Sequence, residues 1–541
     1  MAGGTPIDPL TGPTAILGGR MVTMNAADSV IADGRLYIKA GVIVAVQSAA
    51  APPPAGFSAV TVTQTGGTLY PGLIELHNHL SYNALRLWAV PQKYSNRDQW
   101  GGTPEYRRLV SGPMTILGET PSLLPALVRY VEAKSLVAGV TTTQGVALFS
   151  NAGVRRYYRG IVRNVEVTDE AALPEATDRI ADVDTQSAAK FLERLKKEHC
   201  FLLHLSEGLD QVAREHFLAL RIKDSQWAIT PQLAGIHAAG LTAADFKIYG
   251  SRGASMIWSP LSNLLLYGGT AQVAAAKANG VRIGLGPDWS PTGSKNLLGE
   301  LKAAKAWSDH AGIFTPRELL AMVTRSAADI LGWSAVLGSL EPGKRADITV
   351  VAGIGGDPYT HLFSAQESDI ALVVINGVPR FGTPALFKAL KMSGEIVKIG
   401  SASRRLFLKQ DSADPQVGAI SLSEATATLQ GGLRKLPALA KQLEKPKKLM
   451  HGRLRTEAPV WRLALDEIMD SGVSLRARLP LAHHHTGARA LAGAGSQPLS
   501  KIVAPLLLDP LTVASDAQFL PSIHLQKNLP PWFAAGLIAS Y

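Results

Sequence analysis

The sequence holds a single cysteine in 541 residues, Cys200, so no intramolecular disulfide can brace it and the chain suits a reducing compartment. It has no apolar run of 18 residues, which excludes an ordinary membrane-crossing helix. The opening stretch, MAGGTPIDPLTGP, lacks the basic and apolar regions of a secretory leader, and a cytoplasmic location is expected. Aromatic residues make up 6% and charged ones 18%, yet hydrophobic residues reach 46%, enough to build a large core and to exclude wholesale disorder. Acidic side chains are the minority, 43 against 54 basic ones, for a net charge of +11. Residues 401–541 carry +7 of that and residues 1–400 only +4, so the charge says little about what the larger part binds.

At roughly 150 residues per domain the length allows three or four folding units, although one α/β barrel can absorb more than about 250 residues. The first 65 residues read as short strands (15–17, 21–24, 35–39, 42–46, 59–63), interrupted by Ala-Pro-Pro-Pro-Ala at 51–55. From residue 68 apolar strand-like runs alternate with amphipathic helices, the pattern of βα units around a parallel sheet. Seven strands are legible, at 68–77, 140–146, 160–165, 201–204, 234–237, 255–259 and 282–286; an eighth has only 178–183 to occupy. Helices are expected at 122–138, 185–198, 270–278 and 315–331, the last with Thr315 as N-cap and Gly332 past its end. Strands at 347–351 and 370–375 can complete the sheet begun by the first 65 residues. The expected architecture is a distorted (β/α)8 TIM barrel (67–335), a small β-sandwich built from both flanks (1–66 and 336–405), and a mainly helical extension (406–541).

Chemistry concentrates at the strand ends. His77 and His79 follow the first barrel strand two residues apart, and in a strand such side chains share a face. His204, His237 and Asp288 end later strands, and in a (β/α)8 barrel those ends converge at one mouth. Three imidazoles and a carboxylate suit zinc or iron with one position left for water, whose pKa falls to roughly 7–9. Glu207, three residues after His204, can reach over such a metal to move a proton.

These residues have company. PGLIELHNH at 71–79, the junction KSLVAGVTTT at 134–143, HLSE at 204–207, SPLSN at 259–263, GLGPD at 284–288 and GSLEPGKRAD at 338–347 together resemble the metal-dependent amidohydrolase superfamily, over about residues 10–385. Within it the chain is most similar to the mononuclear branch of cytosine, guanine and adenosine-derivative deaminases and triazine hydrolases. The resemblance implies that His77, His79, His204 and Asp288 bind one divalent metal, zinc before iron. It also implies that His237 binds or polarises the water or substrate, that Glu207 shuttles a proton to the ring nitrogen or leaving group, and that Asp288 accepts a proton from the attacking water. The implied reaction is hydrolysis of a non-peptide carbon–nitrogen bond, foremost deamination of a heterocycle. An amidase, lactamase or dehalogenating hydrolase on the same site, or a scaffold with a relic site, are the alternatives. No evident lysine or glutamate on the fourth strand offers to bridge two metals, as in binuclear members of the superfamily, and Lys190 lies on a helical pattern instead, which favours one metal over two.

The loop at 80–118 gathers Tyr82, Trp88, Tyr94, Trp100 and Tyr106 with Arg86, Arg97, Arg107 and Arg108. It can stack on an aromatic substrate and meet an acidic group, or simply form a packed lid with solvated arginines. Asn83 and Trp289 are expected to line the pocket. In the tail, His483–His485 lacks nearby carboxylates or cysteines to make a second metal site. The basic run of Lys441, Lys445, Lys447, Lys448 and Arg453 has no interleaved aromatics to stack on bases, so a small-molecule substrate is expected rather than nucleic acid or membrane. A homo-oligomer is compatible with the apolar segment 506–541, which must bury itself on the barrel or on a second subunit.

Overall fold

The computed structural model describes residues 12–151, 153–168, 170–410, 414–445, 460–465 and 497–541. The strand Val62–Pro71 is where the two flanks of the chain meet: one edge pairs in parallel with Ala15–Val22, the other antiparallel with Ile348–Ala352. Around it a nine-stranded mixed sheet runs Glu395–Ile399, Ala402–Leu406, Val378–Gly382, Ile370–Ile375, Ile348–Ala352, Val62–Pro71, Ala15–Val22, Val30–Lys39, Val42–Ser48. The early and late strands thus share one continuous sheet. Ile370–Ile375 reads as an unbroken apolar run because both its faces are covered. Leu372 and Val374 pack with Leu69, Ile348 and Val350, while Ile370, Val373 and Ile375 enter the main core.

The expected strand at 68–77 splits in two. Its first part belongs to the nine-stranded sheet, and after Gly72 the chain enters a second sheet as Leu73–Ile74. There it pairs in parallel with Val140–Thr143, and that strand with Arg163–Asn164. Five further parallel strands form a second arc: Ala176–Arg179, Cys200–Leu205, Leu233–His237, Ser255–Trp258 and Arg282–Leu285. The fourth strand therefore starts two residues before the expected 178–183 and ends four residues before it. The two arcs are separate sheets rather than one closed ladder, joined by single backbone contacts. Ala176 N donates to Val165 O at 2.8 Å and Leu76 N to Leu285 O at 3.2 Å, and Asn78 bridges Asp288. The result is a barrel-like α/β arrangement whose strand ends face one another.

Helices cover the outside, among them Leu124–Val137, Ala188–Leu195 and Val273–Ala278. The expected helix at 315–331 is two, Pro316–Ala321 and Arg325–Leu331, because Thr324 leaves helical geometry (φ −135°, ψ −105°). Its caps are as expected: Thr315 makes a capping box with Glu318, and Gly332 closes the end at φ 74°.

The extension is helical in most of its described parts and packs against the barrel. Leu422–Arg434 buries Leu422, Ala425, Leu429 and Leu433, a helical stripe, and Gly432 lies against Leu123. Arg129, fully buried on Leu124–Val137, donates to the carbonyls of Val417 (2.9 Å) and Ile420 (3.2 Å). Further on, Phe519, Ile523, Leu529, Phe533 and Leu537 are buried. Of the basic run, Lys441 and Lys445 are exposed; Lys447, Lys448 and Arg453, with His483–His485, lie outside the described residues. Among the described residues no helix is long and apolar enough to cross a membrane.

Candidate active site

The chain brings every strand-end residue singled out above to one buried point. His79 N donates to Asp288 O at 2.6 Å, so the first and last strands present their residues side by side. Gly286 makes that approach feasible, since a Cβ there would sit 2.5 Å from the Cβ and carbonyl oxygen of His77. His237 and Asp288 leave their strands in left-handed backbone (φ 65° and 67°).

His77, His204, His237 and Asp288 each offer a ligand atom within 4.8 Å of the others. His79 stands just outside that set, its Nε2 being 3.3 Å from His204 Nε2 and 3.5 Å from Asp288 Oδ1. Lys190 is exposed, and Ala176–Arg179 contains neither lysine nor glutamate.

The hydrogen bonds behind the imidazoles decide which nitrogen faces inward. Gln144 Oε1 accepts from the Asn78 backbone N–H at 3.0 Å, which fixes the amide's orientation, and the same oxygen lies 3.0 Å from His77 Nδ1. His77 therefore carries its proton on Nδ1. His204 does likewise, its Nδ1 lying 3.4 Å from the carbonyl oxygen of Arg179. Both Nε2 lone pairs then point to the centre. His77 Nε2 faces Asp288 Oδ1 at 2.9 Å with no proton between them.

His237 is wired the opposite way. Trp258 Nε1 donates to Thr270 Oγ1 (2.8 Å), Thr270 donates to Asn263 Oδ1 (3.2 Å), and Asn263 Nδ2 then donates to His237 Nδ1 (3.1 Å). Neutral His237 consequently keeps its proton on Nε2, 3.7 Å from Glu207 Oε2.

Burial lowers the basicity of His77, drives His204 well below its ordinary value and brings His237 to about 4, so all three are neutral near pH 7. Burial alone would raise Asp288, and it falls below the usual carboxylate range only insofar as His77 is protonated toward it and His77, His237 and His79 carry positive charge. These tendencies conflict without a cation: the imidazoles shed the charge that the carboxylate requires. A divalent metal among them satisfies both, and the facing lone pairs fit it. The second oxygen of Asp288 is already used, accepting from Ser262 Oγ at 2.6 Å.

Glu207 is pushed up to about 7, first by burial and then by the charge of Asp288. Tyr267 donates to its Oε1 at 2.8 Å and is itself held by Trp100 Nε1 at 2.9 Å. Tyr82, Trp100 and Tyr106 surround Trp289, with ring centroids 5.0, 5.9 and 6.2 Å away, and Trp289 lies 5.5 Å from His79. The loop aromatics are thus buried around the site. Asn83 sits behind it: its Nδ2 donates to Asn78 Oδ1, and its Oδ1 accepts from the Ser290 backbone N–H.

Gln144, Ser262, Asn263 and Tyr267 have no role in the sequence-based reading. The last three lie on one short helix, Pro260–Tyr267, opened by the SPLSN motif; the four-residue spacing of Asn263 and Tyr267 puts those two on one face without saying what that face meets.

Residues 68–380 match the model of the amidohydrolase family. The chain belongs to that family. A 5-methylthioadenosine/S-adenosylhomocysteine deaminase of Symbiobacterium thermophilum is 23% identical over 406 residues, 67% of this chain and 92% of the relative. An S-triazine hydrolase of Gordonia rubripertincta is 32% identical over 149 residues, 27% of this chain and 30% of that protein. Among solved structures, a zinc-bound adenosine deaminase from Xanthomonas campestris is similar with a TM-score of 0.52 at 17% identity, over 78% of this chain and 98% of the other. Guanine deaminase of E. coli is similar with a TM-score of 0.51 at 16% identity, over 68% of this chain and 99% of the other. This amidohydrolase is accordingly a metal-dependent hydrolase acting on carbon–nitrogen bonds.

Proposed function

We propose that this amidohydrolase removes an amino group hydrolytically from a planar heterocycle, with one zinc ion held by His77, His79, His204 and Asp288. The observation that carries the reading is the opposed wiring of the imidazoles. His77 and His204 turn unprotonated Nε2 atoms to the centre, whereas His237 turns an N–H toward it, beside Glu207. Bound there, the divalent cation supplies Lewis acidity that makes a water molecule acidic near neutral pH.

The remaining work falls to side chains. Asp288, with Oδ2 occupied by Ser262, keeps Oδ1 toward the site to accept a proton from the attacking water. His237 donates its Nε2–H to the oxygen arriving at the reacting carbon. Glu207, its carboxyl pushed up to about 7 by burial, gives its proton to the ring nitrogen next to that carbon; the proton taken by Asp288 goes to the departing amine, and the hydroxyl proton of the adduct returns to Glu207 as the carbonyl forms. The aromatic enclosure of Tyr82, Trp100, Tyr106 and Trp289 suits a flat ring and excludes water. The relatives named as deaminases support amine over halide departure, since the first aligns over 92% of its own length. The domain limits proposed with this reading are 1–66, 67–335, 336–405 and 406–541.

The test is a screen of aminated and halogenated heterocycles against zinc-replete protein, with ammonia and halide read separately. Ammonia release from an aminated ring, with about one equivalent of zinc bound, is the expected result. Halide release alone, or less than about half an equivalent of zinc or iron, overturns the reading.

A further inference from the structure

Four arginines of the loop at 80–118 look alike in sequence, and the structure separates them. Arg86 keeps 34% of its side chain exposed and Arg108 46%, but Arg97 only 2%. It heads the short turn Arg97–Gln99, whose start is capped by Asn96 accepting from Asp98 N at 3.0 Å. That turn is fastened to the loop carrying Glu207. Arg97 N donates to Glu207 O (3.2 Å), Leu209 N donates to Ser95 O (2.8 Å), and Asn96 bridges Gly208. Only glycine fits at 208: a Cβ there would lie 2.5 Å from Asn96 Cα and from Ser95 O, and its φ is 135°. Residue 97 is therefore held against the loop of Glu207 by a built contact, near enough for its charge to act on that carboxyl.

One of its nitrogens, Nη2, is paired with Asp182, whose side chain is one-third exposed and also has His216 Nδ1 at 3.3 Å. Nε and Nη1 are buried with no hydrogen-bond partner among the described residues. Leaving two donors of a cation unsatisfied in the interior is costly, and a carboxylate this exposed could be paired by a surface arginine without that cost. The positive charge is felt at the reacting residues: it works against the rise at Glu207 and weighs against protonation of His204 and His237. Trp100, three residues on, joins the aromatic enclosure.

We propose that Arg97 binds substrate, its free Nε–H and Nη1–H meeting an oxygen acceptor, oxo or carboxylate, carried by the flat ring that the aromatic enclosure holds. The proposal deepens the deaminase reading and rests on it for the position of the ring. It selects rings bearing oxygen over rings bearing only apolar substituents, because a ring without an acceptor leaves the buried donors unpaired.

Three pyridines of similar size test it: pyridine-3-carboxylate, pyridine-3-carboxamide and 3-methylpyridine, with binding read by tryptophan fluorescence on zinc-loaded and zinc-free protein. A hydrogen bond to a buried charged group corresponds to about tenfold or more in affinity, so both oxygen-bearing probes should bind at least about tenfold more tightly than 3-methylpyridine. In Arg97→Met the three should fall within about threefold of one another, and Arg97→Lys should keep part of the preference. Whichever oxygen probe binds more tightly to the native protein assigns the substrate group as anionic or neutral. Equal binding of all three by the native protein, or a preference unchanged in Arg97→Met, overturns the proposal. Should Arg97→Met not fold, Asp182→Asn decides: it frees Nη2 and should strengthen binding of the oxygen probes, and unchanged or weaker binding counts against the role. Zinc-free protein keeps the two questions apart. A preference there that depends on Arg97, with no ammonia released from any ring by zinc-loaded protein, would leave this inference standing and the deaminase reading fallen.

Discussion

Asp509 and Lys295 form a buried ion pair, 2.6 Å from Nζ to Oδ1, joining the last described segment of the chain to the loop that follows Asp288. The other carboxylate oxygen of Asp509 takes Lys134, and all three side chains are at most 2% exposed. Burial pulls Lys134 down to about 8 even with that partner. Lys134 also donates to Ser290 Oγ (2.7 Å) and Asn83 O (2.8 Å), so the cluster reaches the residues behind the proposed metal ligands.

Asp509→Ala strands the buried ammonium of Lys134 and leaves Lys295 with Asp516 alone, and should lower unfolding free energy by about 3–5 kcal/mol. Urea unfolding monitored by fluorescence checks this. A variant within about 1 kcal/mol of the native protein would show that the extension is not anchored through this pair.

Glu207→Gln preserves shape and the Tyr267 contact while removing the titratable proton. It should bind zinc normally and lose about 10²–10⁴-fold in kcat. Elemental analysis together with ammonia release measures both, and full turnover by the zinc-loaded variant would sink the proton-shuttle role.

His204→Ala and His237→Asn separate the two kinds of imidazole. The first should lose most bound zinc after brief dialysis against a chelator; the second should keep it and lose turnover. Asn263→Leu should behave as a milder His237→Asn, with kcat down by about tenfold because the tautomer is no longer held. Equal zinc loss in His204→Ala and His237→Asn would make His237 a ligand instead.

Glu300 is pushed up to about 8 by burial, despite accepting from Ser294 and from Leu261 N. Between its ordinary 4.5 and about 8 the folded chain holds a proton that the unfolded chain releases, so stability falls as pH rises through that window. The slope from this group is at most about 1.4 kcal/mol per pH unit. Glu300→Gln should match the native protein near pH 5 and exceed it near pH 8, with Glu75, pushed up to about 7, supplying what slope remains below that. Parallel stability curves for the two proteins would refute this.

His77, His79, His204, His237 and Asp288 were legible because their chemistry and their place at strand ends coincide, and strand ends of this architecture meet. Arg163–Asn164 makes only two residues of ladder within the longer apolar run at 160–165, so periodicity overstated its extent. Thr324 interrupts a helix that its own apolar spacing continues through. Gln144 and Asn263 are neutral amides whose role lies wholly in which imidazole nitrogen they meet, a tertiary fact with no local signature. The four loop arginines carry identical chemistry, and only burial singles out Arg97. The tail's positive net charge gives no sign that its described part meets the barrel region through carboxylates, Asp509 between Lys134 and Lys295 and Asp516 on Lys295.

Cys200 opens the strand Cys200–Leu205, four residues before His204, and pairs with Ala176 on the neighbouring strand. It is fully buried, and burial pushes its thiol up to about 12. A thiol reagent can therefore react only when these strands part, and with no other sulfhydryl in the chain each modification event records one opening of the strand that carries His204. Zinc tying His204 to its neighbours should slow that labelling, which makes the rate of alkylation a substrate-free measure of how firmly the metal knits the barrel together.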